Sequence, residues 1–236
     1  MVNKISLTKA VLIFLLATIY FYVLVIVFLP VFKSNVSINP AIYWFITGYL
    51  LFIPLFVFAV YMAKSEGNNT VKEISSALSI KSFSRKDWAY SIAGLLLVLA
   101  STGAVIAGWS LLEKYCNVGP LASTPWFMEI HPLKGPDALL LLVWLPMFVF
   151  NIVGEEVFWR GYIQKRLQIK NSWLVCSLLW FMFHVPFGVP LMIILIPVIL
   201  IIPYAFNKTK NTLVGIFIHG MCNGPVFVAV ALGLIK

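Results

Sequence analysis

Charge is scarce in this sequence, and acidic charge scarcest of all. Only 11% of its 236 residues are charged, with 8 Asp or Glu against 17 Lys or Arg. Soluble domains carry about 25% charged residues, so a soluble globular enzyme is excluded. A disordered chain is excluded too, because it needs high charge and low hydrophobicity. Cysteine is also sparse. Cys116, Cys176 and Cys222 are odd in number and widely spaced, with neither CxxC nor zinc-finger spacing. Cys176 and Cys222 read as small apolar packing residues. No block of like charge is long enough to form a nucleic-acid arm, so nucleic acid is not expected as a partner despite the formal charge of +9. Internal repeats, low-complexity tracts and a C-terminal lipidation box are missing. So are G-x-S-x-G and H-E-x-x-H, the usual signatures of a serine nucleophile and of a zincin site.

What the sequence has instead is apolar length. Hydrophobic residues make up 61% of it, and the mean hydropathy is +0.98. Apolar segments can be drawn at about 10–32, 41–63, 88–112, 137–160, 172–188, 190–206 and 212–235. The fifth and sixth are short and rich in proline. A bilayer core needs about 20 apolar residues per helix. The expected fold is all-α: a polytopic transmembrane bundle of about seven spans, forming one membrane domain over residues 1–236. The first run is too long for a signal-peptide core and has no A-x-A-like site after it, so it reads as a retained span. With the N-terminus in the cytoplasm, thirteen Lys and Arg fall on inner segments, Arg160 among them, and four (Lys33, Lys114, Lys134, Lys236) fall outside. That asymmetry satisfies the positive-inside rule. The expected location is the cell membrane, multi-pass, with membrane lipid as a partner.

Ionisable side chains within spans are costly and mark functional sites. Gly154-Glu155-Glu156-Val157-Phe158-Trp159-Arg160 contains two adjacent acids. On a helix Glu156 and Arg160 are i,i+4 neighbours and can pair. Glu155 points about 100° away with no intrahelical cation, which leaves it free for chemistry. The second cluster is Trp180-x-x-x-His184. The third, His219-x-x-x-Asn223, projects both side chains from one helix face, where the amide could fix the imidazole. His131 stands in an outer loop and reads as a surface residue. At 1.5 Å per residue, Glu155 lies roughly 16 Å from Arg166, His184 roughly 20 Å from Lys170, and His219 roughly 14 Å from Lys210. The three groups thus sit at similar depth.

One carboxylate, two histidines and an amide can activate water. Glu155 would serve as base, His184 would share or orient the water, and His219 with Asn223 would stabilise an oxyanion. Glu155 and the histidines could instead hold zinc. The cofactor is therefore open, with zinc as the candidate. The polar set also allows a small proton-coupled transporter, or a non-hydrolytic immunity or scaffold protein.

Taken in order, Glu155-Glu156-x-x-x-Arg160, Trp180-x-x-x-His184 and His219-x-x-x-Asn223 resemble the CAAX prenyl endopeptidase and bacteriocin-processing (CPBP, or Abi) family of intramembrane proteases. The resemblance covers about 145–230, and residues 137–235 would be the catalytic part. It implies a membrane-embedded endopeptidase, glutamate-dependent or a metalloprotease, acting on a prenylated, leader or bacteriocin-type peptide. Glu155, His184, His219 and Asn223 would be catalytic, with Glu156 and Arg160 supporting. Trp180 departs from the family pattern, in which phenylalanine is more usual.

Overall fold

The computed structural model describes residues 3–129 and 131–234, so Lys236, counted on the outer side, lies outside the described residues. The chain is a helical bundle. A first long helix runs over Leu7–Asn35 as α1 (Leu7–Val23), a π-helical segment (Leu24–Phe28) and α2 (Leu29–Asn35). Pro30 explains the widened turn, because it lacks an N–H and its ring crowds the preceding turn. Then follow α3 (Pro40–Ser65), the short α4 (Val71–Ala77) and α5 (Arg85–Cys116). A 3₁₀ turn (Gly135–Leu140) leads into α6 (Leu141–Glu155), which continues as a π-helical segment over Glu156–Gln164. Helices α7 (Ser172–Phe183), α8 (Val189–Thr209) and α9 (Thr212–Ala231) complete the bundle.

Helix starts follow the local chemistry. Asn39 caps α3 ahead of Pro40. Thr70 with Glu73, and Ser84 with Asp87, form capping boxes for α4 and α5. In each box side chains satisfy the N–H groups that a helix start leaves unpaired.

Among the described residues, six helical stretches are long and apolar enough to cross a membrane. The stretch Ser172–Phe187 is shorter. Polar contacts between helix ends show how the chain alternates. At one end Ile5 N–H donates to Arg166 O (3.0 Å) and Thr212 N–H to Ser79 O (2.8 Å). Arg166 pairs there with Glu66 (2.6 Å). At the other end Lys33 pairs with Glu129 (2.8 Å). Asn39 donates to Asp137 (3.2 Å), and the Trp126 indole N–H to Pro186 O (2.9 Å). Successive loops therefore lie at opposite ends, as about seven spans require, with α7 as the short crossing. The expectation of two short proline-rich spans holds for α7 and fails for α8. Pro197 and Pro203 lie inside a helix of 21 residues, because prolines in a lipid-embedded helix are tolerated where neighbours re-satisfy the freed carbonyls. Gln164 Nε2 donates to Pro203 O at 2.8 Å, which ties this part of α8 to the π-helical segment.

The bundle is apolar outside as well as inside. Leu12, Leu16, Ile19 and Val27 on the first helix and Leu96, Leu97 and Leu111 on α5 are exposed. Outward leucines suit lipid and not water. This is a multi-pass membrane protein. Arg160, counted among inner loop charges on the sequence, is instead buried in the bundle.

Candidate active site

The site forms where α6, α7 and α9 meet. Glu155 is the last residue of α6, and Glu156 opens the π-helical segment, all nine residues of which are buried. Glu155, Glu156 and Arg160 are 3%, 0% and 1% exposed. A snorkelling helix end is thereby excluded.

The two glutamates serve different neighbours. Glu156 Oε2 lies 3.2 Å from Arg160 Nε, as the i,i+4 spacing predicts. Its Oε1 lies 3.0 Å from His219 Nδ1. The imidazole of His219 is thus fixed by Glu156, a partner not expected on the sequence, where Asn223 was the candidate. A helix can approach this carboxylate so closely only without a side chain. A Cβ on Gly215, one turn before His219, would overlap Glu156 Oε2. Glycine at 215 is therefore a condition for the Glu156–His219 contact.

Glu155 points elsewhere. Its Oε2 accepts a 2.7 Å hydrogen bond from the Trp180 indole N–H. The guanidinium of Arg160 lies over the Trp180 ring, 3.5 Å from its centroid. His184 ends α7, and its Nδ1 lies 2.8 Å from Trp180 O. A carbonyl only accepts, so that nitrogen carries the proton and Nε2 keeps its lone pair. The same reasoning at the Glu156 carboxylate assigns the His219 proton to Nδ1. Beyond His184 a 3₁₀ turn, Val185–Phe187, leads to Gly188 at φ +88°. Glycine takes this backbone angle without strain, and it reverses the chain into α8.

Glu155, His184, His219 and Asn223 line one cavity of about 50 Å³. Trp180 and Asn151 line it too. Asn151 was missed on the sequence. It stands in an apolar run four residues before Glu155, where the same i,i+4 spacing that singled out Asn223 beside His219 would have found it. His131 is exposed and does not line the cavity. Cys176 and Cys222 are buried free thiols, consistent with packing roles. The cavity is polar and large enough for water. It adjoins an apolar chamber of about 240 Å³ between α5, α8 and α9, with Phe187, Leu195, Val198 and Asn223 lining both. The outer segment around Ser123–Met128 roofs this chamber.

Residues 137–224 match the family model described as type II CAAX prenyl endopeptidase Rce1-like. No curated protein and no solved structure matches the chain. The Rce1-like region contains both glutamates, Arg160, both site histidines and Asn223, so the motif resemblance holds over this part of the chain. The region is thus similar to CAAX prenyl endopeptidases of the Rce1-like type.

A zinc ion is the cofactor to test against this donor set. The two histidines each direct a protonated Nδ1 at an acceptor, an orientation also seen in metal-bound imidazoles. Among the described residues, however, no three His, Cys, Asp or Glu side chains group closely enough to hold a metal ion. One oxygen of Glu155 is already taken by Trp180. As arranged, the donors do not fit a zinc site.

Proposed function

We propose that the protein is an intramembrane endopeptidase that hydrolyses a peptide bond with water activated by Glu155. The observation that carries this reading is the shared cavity: Glu155, His184, His219 and Asn223 line a water-sized polar space that adjoins an apolar chamber. The match of residues 137–224 to the Rce1-like model supports it.

Water in the cavity donates to the free Oε1 of Glu155 and to Nε2 of His184. As its oxygen bonds to the scissile carbonyl carbon, Glu155 takes the proton. Asn223 and Asn151, which line the same cavity, donate to the oxyanion. The proton held by Glu155 then passes to the leaving amine as the carbon–nitrogen bond breaks, which returns the carboxylate. His219, fixed by Glu156, walls the site beside Asn223. The substrate in this reading is a membrane-associated peptide of the CAAX type, whose lipophilic group rests in the apolar chamber. The location in this reading is the cell membrane, with the orientation given by the charge asymmetry of the loops.

The test compares purified wild type with Glu155→Gln on farnesylated and unmodified CAAX-type peptides, with products identified by mass spectrometry. Glu155→Gln is expected to lose about 10²-fold or more in kcat, the scale of a missing general base. Undiminished cleavage would sink the role given to Glu155. Elemental analysis and a chelator titration address the cofactor. Stoichiometric zinc with chelator-sensitive cleavage would replace the glutamate-activated water with a metal-bound one.

A further inference from the structure

Besides edge contacts with the His184 and His219 rings, Trp180 meets a carboxyl group and a guanidinium on different parts of its ring. Its N–H edge meets Glu155 Oε2 at 2.7 Å, and its face meets the Arg160 guanidinium at 3.5 Å. The N–H···O distance is at the short end for such bonds, in the range of donors to an ionised acceptor. None of the three Arg160 nitrogens has a hydrogen-bond partner among the described residues, although all are buried. The guanidinium is therefore stabilised by the Glu156 charge and by the indole face.

The two contacts reinforce each other. A cation over the ring face draws electron density from the indole and leaves its N–H edge more positive, so it becomes a stronger donor. An indole has one donor and no acceptor, so it ties one oxygen of Glu155 and leaves the other to the cavity. A phenylalanine here would keep the face for Arg160 and lose the donor.

We propose that Trp180 is a positioning residue for Glu155: its N–H fixes the carboxylate, and its ring carries the influence of the buried Arg160 cation to it. This inference rests on the reading of Glu155 as the base.

The experiment uses the full chain in lipid nanodiscs with ¹⁵N-labelled indoles. The sequence has eight tryptophans, and Trp180→Phe identifies the Trp180 N–H resonance by deleting it. Trp180→Tyr supplies the assignment should Trp180→Phe fail to fold. In Glu155→Gln that resonance is expected to move upfield further than any other indole signal. Arg160→Lys, which keeps the charge but not the planar stack, should move it in the same direction by less. A Trp180 resonance unmoved in Glu155→Gln would overturn the proposal. On a cleaved peptide, Trp180→Phe should lower kcat by about tenfold with KM near wild type, the scale of one charge-assisted hydrogen bond. Full kcat in Trp180→Phe alongside an inactive Glu155→Gln would overturn the role of Trp180 alone. Full kcat in Glu155→Gln would overturn the base assignment, and this role with it.

Discussion

Glu156 is shared between two partners on different helices, and that sharing governs what its loss does. Replacing it with glutamine keeps an acceptor for His219 and removes the charge that faces Arg160. A buried cation left uncompensated costs about 3–5 kcal/mol. Glu156→Gln is therefore expected to unfold at a markedly lower temperature in detergent. The double variant Glu156→Gln/Arg160→Met should recover part of the loss, because the stranded charge goes too. Equal midpoints for the single and double variants would show that the ion pair does not act as described. At this scale much of the site was legible. In a chain with eight acids, a Glu-Glu pair inside an apolar run and two histidines at matched depth stand out from composition and spacing alone. The partners of those residues were not legible. Helical phase separates Glu155 from Glu156 correctly, yet it says nothing about α7 or α9. The Trp180–Glu155 and Glu156–His219 bonds join residues 25 and 63 positions apart, and such pairings are set by how helices dock.

Among the elements, the π-helical segment Glu156–Gln164 and the α4 region it supports were the least visible beforehand. Hydropathy does not distinguish π from α winding, since both leave the same residues apolar. Just past this segment Lys165 donates to Ser76 O (2.7 Å) and Ala77 O (3.0 Å) at the end of α4. Burial, followed by the Arg166 and Lys81 cations, pushes its pKa down from 10.5 to about 8. Below pH 8 the ammonium is charged in both folded and unfolded chains. Between 8 and 10.5 the unfolded chain binds more protons, so stability contributed by this group rises with pH across that window. Thermal midpoints of wild type should accordingly gain on those of Lys165→Gln as pH is raised from 7.5 to 10. A constant difference between the two would contradict the burial of this ammonium.

For the whole molecule, the alternation of loops was readable from hydropathy and from Lys and Arg counts. The end-to-end contacts, such as Arg166–Glu66 on one side and Lys33–Glu129 on the other, agree with it. Helix α8 extends past both ends of the apolar segment at about 190–206, because Pro190 fits its first turn and the polar residues Asn207, Lys208 and Thr209 continue the helix where hydropathy falls. The inferred orientation makes a direct prediction. In a variant lacking the native cysteines, a cysteine at Glu129 should react with a membrane-impermeant maleimide on intact cells. One at Ser82 should react only after permeabilisation. The reverse pattern would invert the topology and place the Ser123–Met128 roof of the chamber on the cytoplasmic side.

The two adjoining cavities also have a consequence for chemical control of the protein. One is small and polar, the other large and apolar, and four side chains serve as walls to both. A compact hydrogen-bonding warhead joined to a greasy tail would occupy both at once, with its bend at Asn223. Neither half should hold well alone, so an inhibitor series is best grown by varying the joint between them before either end.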